Sequence, residues 1–380
     1  MVTPKKISHT FIVSMLAGIL LLTSACVPAK AEKIFFTNSS INTNDTYVYS
    51  MNLDGNNLVK VAKCSPFYAQ PFEMWSADGQ KVAFIDWESE PGKTWLCVVD
   101  ADGNNRRRLL EITDSIMSNF AFSMAPDGKK IVMSRDVSHI IETPEGGIVH
   151  VEVTHDSDIF TVDVPSGLVK QLTDTPDVWE QHPSFSPDGK MIAFVARIDT
   201  EDEKNNPKYV YIMDADGSNR RLVGYHAESI PFPLFQGFHW SPDSKKIAYS
   251  VFNMATSDYE NFTDIFIIAV DKEGLTNLSN SPYVVDTNPA WSPDGSKIAY
   301  FSGSLDEGSF TWIMDADGKN KTKLYQTGGP SSWTPDGKGL IFTNGLNVYE
   351  IMEMNTHGDN LTSLVKTEDI RISEPVWIGQ

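Results

Sequence analysis

The chain has 380 residues, 41% of them apolar and 21% charged, a globular composition rather than a disordered or membrane-bundle one. Its 31 Lys and Arg stand against 50 Asp and Glu, a formal charge of −19. That surface repels phosphate backbones, which sets nucleic acid aside as a partner, and it opposes electrostatic docking on anionic lipid.

Residues 1–25 read as a signal peptide. Lys5 and Lys6 precede an apolar run from Phe11 to Leu22, too short to span a bilayer, and small residues follow at Thr23, Ser24 and Ala25. The string Leu22-Thr23-Ser24-Ala25-Cys26 resembles the bacterial lipobox, which implies an acyl anchor on Cys26 and a lipid-anchored linker over 26–32. Each buried methylene of such an anchor contributes roughly 0.8 kcal/mol. Val27, in place of Asp, implies an outer-membrane destination in a Gram-negative host. The expected location is therefore the periplasm or the outer membrane.

From Lys33 onward one unit recurs. Strands are expected at Lys33–Thr37, Tyr47–Asn52 and Val59–Ala62, and then a pattern restarts at Trp75, Met124, Phe185, Trp240, Trp291 and Trp333. Steps of 42 to 61 residues between these positions match the period of a four-stranded propeller blade. Each restart carries a turn of the Ser-Pro-Asp-Gly type, as in Trp291-Ser-Pro-Asp-Gly295. Pro presets φ near −65° and Gly accepts the left-handed conformation. A short strand follows that is apolar on both faces (Ile298-Ala-Tyr300), as suits a strand packed between neighbouring sheets. A third strand then runs into Asp-Ala-Asp-Gly at 100–103, 214–217 and 315–318, and a fourth ends the unit. The first unit lacks an opening strand, while Glu374–Gly379, with Trp377, is left over at the other end. Pairing the two gives an all-β, seven-bladed β-propeller over 33–380, with four antiparallel strands per blade and the first blade closed by the C-terminal strand. Closure removes an edge that would otherwise invite aggregation. Ser244 stands where the other turns have Gly, so a left-handed φ is expected there and Ser244→Gly is expected to stabilise.

Few residues suggest chemistry. The Asp-x-Asp-Gly turns resemble the opening of a calcium loop, but with the first Asp as position one, position twelve is Glu111 in the Asp100 copy, Tyr225 in the Asp214 copy and Gln326 in the Asp315 copy; two of the three fail, so they read as turns. No Gly-x-Ser-x-Gly elbow occurs. Cys64 and Cys97 read as buried thiols, with a disulfide the other possibility in an exported chain. His182 and His239 fall on first strands, which line a propeller's channel, and His139, His150 and His155 fall in or beside the long insertion at 137–157. No metal or other cofactor is expected. The hairpins joining first to second strands are short and alike. Long, dissimilar loops at 86–93, 137–157, 196–207 and 251–263 crowd the opposite face, where binding residues belong on a rigid scaffold. The candidate ligand-binding residues are those at the channel mouth and on that face: Gln70, Trp87, Glu180, Gln181, His182, Gln236, His239, Tyr259, Asp286, Asn288 and Glu374.

The strings Trp291-Ser-Pro-Asp-Gly-Ser-Lys-Ile-Ala-Tyr300 and Met213-Asp-Ala-Asp-Gly-Ser-Asn219 resemble the repeats of the TolB-like propeller family over nearly all of 33–379. Two departures stand out. That family usually has six blades where seven are counted here, and its namesake carries an α/β domain ahead of the propeller that this chain is expected to lack. The resemblance speaks to fold more than to function; the closed scaffold without a recognisable catalytic set and the asymmetric loop lengths point to a non-enzymatic envelope protein, expected to be a monomer, that binds a protein, peptide or glycan partner. The architecture is also similar to oligogalacturonate lyases, which implies a rival: a metal-dependent enzyme acting on polysaccharide, with His182 and His239 the first ligands to test.

Overall fold

The computed structural model describes residues 33–40, 46–64, 74–86, 93–112, 121–137, 156–198, 208–226, 237–253, 262–281, 284–304, 307–344, 347–366 and 370–378. Among them every regular element is a strand.

β1 (Lys33–Ser40), β2 (Thr46–Asn52) and β3 (Val59–Cys64) pair antiparallel in sequence order. β4 (Lys81–Asp86), β5 (Thr94–Asp100) and β6 (Arg107–Ile112) repeat the meander, with a bridge from Trp75 to Val82 at its start. β7 (Phe122–Met124), β8 (Lys130–Val137), β9 (Asp156–Asp163) and β10 (Val169–Gln171) form the next unit. It is followed by β11 (Val178–Phe185), β12 (Met191–Ile198), β13 (Lys208–Asp214) and β14 (Arg221–His226). β15 (His239–Trp240), β16 (Lys246–Asn253), β17 (Phe262–Ala269) and β18 (Leu275–Asn277) come next. β19 (Val285–Trp291), β20 (Lys297–Ser304) and β21 (Gly308–Asp315) lead into β22 (Thr322–Trp333), which serves twice. Its start pairs with β21 and its end with β23 (Gly339–Asn344), which continues to β24 (Asn347–Asn355) and β25 (Thr362–Lys366). β26 (Ile370–Ile378) pairs antiparallel with β1, setting Trp377 opposite Ile34 and Val376 opposite Phe35.

The core lies between sheets, which is why the second and third strands of a unit read as nearly continuous apolar runs. β4 and β9 are buried along almost their whole length. Ile298 and Tyr300 of β20 pack on Ala248 and Ile265, and Leu340 and Phe342 of β23 pack on Ala299 and Ile313. Ile34, Phe36 and Met51 pack in the same way on Ile341 and Ile351, joining the β23–β24 region to β1 and β2. At roughly 25 cal/mol per Å² of buried apolar surface, these interfaces supply the main stabilising term.

The Ser-Pro-Asp turn is built as its sequence requires. Ser241 Oγ donates to Asp243 Oδ1 at 2.6 Å and accepts the Lys246 N–H at 2.9 Å. The same Ser–Asp bond recurs at 76/78, 186/188 and 292/294. Ser244 does take a left-handed φ, 59°. Its hydroxyl also accepts the Asp188 N–H at 3.1 Å, a bond to the preceding unit's turn that bears on the expected gain from Gly. The Asp-Ala-Asp-Gly turns engage their acids internally: Asp315 takes Lys297 and Asn320, and Asp100 takes Lys81 and Asn105. Cys64 and Cys97 are free and buried, and burial pushes their thiols up to about 12 and about 11.

Candidate functional site

The units converge on their opening strands, and there the repeated Trp or its equivalent does two jobs. Its ring packs between sheets, and its edge walls a cavity of about 350 Å³. Trp75, Met124, Phe185, Trp240, Trp291 and Trp333 line it, with the turn prolines Pro187, Pro242, Pro293 and Pro335 and the residues just before the aromatics, Ser123, Ser184, His239, Ala290 and Ser332. Successive units are tied there by backbone. Trp291 Nε1 donates to the His239 carbonyl and Trp333 Nε1 to the Ala290 carbonyl, both at 2.9 Å. The turns also lean on one another. A Cβ on Gly189 would lie 3.5 Å from Pro126 Cδ, and one on Gly337 3.6 Å from Pro293 Cδ.

The opening strands share a second device that the sequence does not announce. His182 (φ 53°) and Asn288 (φ 52°) are left-handed residues directly before Pro183 and Pro289, and the pairing register slips across them. This is a β-bulge, where a missing proline N–H is tolerated and an Asn or His accepts positive φ more readily than most residues. β26 carries a register slip at the corresponding place, around Glu374 and Pro375.

The bulge decides where the candidate residues point. Glu180 and Asp286 lie before it, opposite Ala196 and Ser302, and so share a face with the residues packed against the preceding sheet. Glu180 is fully buried, and its Oε1 lies 2.7 Å from Arg220 Nη1. That guanidinium stacks over the Tyr211 ring at 4.3 Å and donates to Thr175 Oγ1 at 3.0 Å. Burial raises the Glu180 pKa, against the lowering pull of Thr173 and Arg220. Asp286, 1% exposed, is raised by burial as well. Gln181 is buried, and among the described residues neither end of its amide has a hydrogen-bond partner. His182 is half-buried, and its pKa is pushed down to about 4, first by burial and then by Lys208. Lys208 is itself lowered to about 8 by burial and by Arg197.

Of the candidate residues, His239 lines the described cavity. Glu180, Gln181 and Asp286 sit within the sheet packing, and His182 and Asn288 form the bulges. Gln70, Trp87, Gln236, Tyr259, His139, His150, His155 and Cys26 lie outside the described residues, and Glu374 is described by its strand alone. Among the described residues, no three His, Cys, Asp or Glu side chains gather to hold a metal. Sequence reasoning missed the aromatic cavity at the short-turn end and the Glu180–Arg220 pair. The recurrence of Trp one residue before each turn was the available signal for the first.

A family model described as the TolB beta propeller domain matches residues 195–345. Dipeptidyl-peptidase 5 of Porphyromonas gingivalis is 28% identical over 320 residues, covering 81% of this chain and 42% of that protein. The Tol-Pal system protein TolB of Francisella tularensis subsp. mediasiatica is 25% identical over 291 residues, covering 74% of this chain and 59% of its own. The chain thus spans about half the length of these curated relatives. Among solved structures, an oligogalacturonate lyase from Vibrio parahaemolyticus superposes with a TM-score of 0.57 at 10% identity, covering 87% of this chain and 84% of that one. That likeness is one of fold.

Proposed function

The chain is a TolB-like β-propeller protein, and from that premise we propose that it is an exported binding scaffold of the cell envelope. It is processed at residue 25, anchored by lipid on Cys26 through the 26–32 linker, and held in the periplasm or at the outer membrane. Residues 33–380 make a closed ring of seven four-stranded blades, a reading supported by the β26–β1 pairing and by the apolar cluster joining β23 and β24 to β1 and β2. On its long-loop face the ring holds an envelope protein, a peptide or a glycan. Gln70, Trp87, Glu180, Gln181, His182, Gln236, His239, Tyr259, Asp286, Asn288 and Glu374 are the first residues to test, with the buried Glu180, Gln181 and Asp286 tested for support beneath the contact surface.

One observation carries this reading: the short-turn end has little polar recognition capacity left. Its Ser hydroxyls and Asp carboxylates are engaged within the turns themselves. Long connections lie at the other end, between β8 and β9, β12 and β13, and β16 and β17. Variation on a rigid frame is the usual arrangement for recognition. Crosslinking in the native envelope tests it, comparing wild type with a chain shortened within 138–155 and still folded. The proposal expects a defined partner to be captured by wild type and lost from the variant. An identical set captured by both would remove that loop from recognition.

The similarity to an oligogalacturonate lyase fold favours one second reading, a metal-dependent enzyme on polysaccharide with ligands among His182 and His239. Stoichiometric Mn or Zn in purified protein, lost in a His182→Ala, His239→Ala double variant, would establish it over the binding role.

A further inference from the structure

Two junctions between sheets carry the same buried acid pair and treat its charge differently. Where β9 meets β11 the pair is Asp158 and Glu180; where β17 meets β19 it is Asp264 and Asp286. In both, the first acid is satisfied by the crossover segment. Asp158 accepts Gln171 Nε2 at 2.8 Å and the Thr175 N–H at 3.2 Å. Asp264 correspondingly accepts Asn277 Nδ2 at 2.8 Å and the Ser281 N–H at 3.0 Å. The second acid is where they part. Glu180 receives Arg220. The residue in Arg220's place after the Asp-Ala-Asp-Gly turn is Lys321, and its ammonium is engaged by the Ser279 carbonyl.

Among the described residues, no basic side chain pairs with Asp286, and neither of its buried oxygens has a hydrogen-bond partner in good geometry. Its polar neighbours are the hydroxyls of Ser279, Ser281 and Ser302. Two of these spend their protons elsewhere: Ser279 donates to Asp264 at 2.9 Å and Ser281 to the Ser279 carbonyl at 3.1 Å. Those two hydroxyls therefore face Asp286 with lone pairs, although Ser279 Oγ also accepts the Ile265 N–H at 2.9 Å, and Ser302 is left as the one neighbouring hydroxyl able to donate to it. A further oxygen is independently orphaned. Thr263 Oγ1, fully buried, has no partner among the described residues, and by strand alternation it shares the face of Ile265 and Ile267 that packs on β20 beside Asp286. A buried carboxylate with one hydroxyl donor among several neighbouring oxygens, and no basic partner among the described residues, is an environment that a hard cation can complete.

We propose that the pocket around Asp286, between β17 and β19, binds one hard, oxygen-seeking divalent cation of the calcium class, in the role that the Arg220 guanidinium fills at the other junction. Asp286 supplies the charge, and the oxygens of Ser279, Ser281, Ser302 and Thr263 complete the shell. Charge also favours a divalent ion, since Asp264 stands beside Asp286. Calcium tolerates such an irregular shell of side-chain oxygens, whereas magnesium demands near-octahedral geometry.

The test uses the whole chain, freed of metal by dialysis against a chelator and titrated with CaCl₂ at pH 7. Equilibrium dialysis should find one tightly held ion per chain, and the melting temperature should rise saturably by about 4 °C. Asp286→Asn should abolish both. Because that variant could misfold, a second carries Asp286→Glu with Lys321→Arg, which rebuilds the Glu180–Arg220 pair. It should fold, melt without calcium no lower than calcium-loaded wild type, and ignore calcium. The proposal is overturned if no stoichiometric ion binds, or if the Glu/Arg variant responds as wild type does. It is also overturned if sodium alone produces the effect, or if stability follows pH alone, which would make a proton on Asp286 the occupant.

Discussion

Ser244 holds a left-handed backbone at φ 59° and uses its hydroxyl to accept the Asp188 N–H. The two effects oppose. Relief of the left-handed strain is worth roughly 1 kcal/mol, and the hydrogen bond about as much. Ser244→Gly is therefore expected near neutrality rather than stabilising, while Ser244→Ala keeps the strain, loses the bond and falls about 1 kcal/mol below the Gly variant in urea unfolding. The left-handed turn was legible because the turns align residue for residue. The bond to Asp188 was not, since it joins positions 56 apart whose neighbourhood only the assembled sheets create. His182 carries a pH prediction. Its folded pKa, about 4, lies below the ordinary 6.5, so between those values the unfolded chain binds more protons and stability falls as pH drops. For a half-buried ring the loss is about 2 kcal/mol. His182→Asn, which places at that bulge the residue Asn288 provides at its own, should flatten stability between pH 6.5 and 4.

At the scale of the element, the opening strand couples each unit to the last through an indole N–H. Trp333 has its acceptor in the Ala290 carbonyl, whereas Trp240, buried to a similar degree, has none among the described residues. Replacement by Phe removes similar ring area from both, so the difference between them isolates the bond. Trp333→Phe is expected to cost about 1 kcal/mol more than Trp240→Phe, read from urea midpoints at equal slope. The strands and turns were readable from period-2 and turn chemistry, but the bulge was not. His182-Pro183 and Asn288-Pro289 look like unremarkable dipeptides, and only the slipped register shows that they turn Glu180 and Asp286 into the sheet interface. Counting back from Trp located these acids on the opening strand correctly, yet a count along the chain carries no information about which face a bulged strand presents.

At the scale of the molecule, the four-strand period and the surplus strand at the C-terminus were plain in the sequence, because each is a property of spacing. The cavity walled by Trp and Pro was not, because its wall is contributed piecemeal by units 42 to 61 residues apart. β26 completes the sheet begun by β1, and the proposed ring closure, which would fix the face carrying the long loops, depends on that pairing. Hydrogen exchange at the β1 amides, compared between the whole chain and one ending at Lys366, is the most direct measurement. Closure predicts slow exchange over Lys33–Ser40 in the whole chain and rapid exchange in the shortened one, with β12 protected in both and β1 protection regained on adding a peptide of residues 370–380. Equal protection of β1 with and without β26 would contradict it.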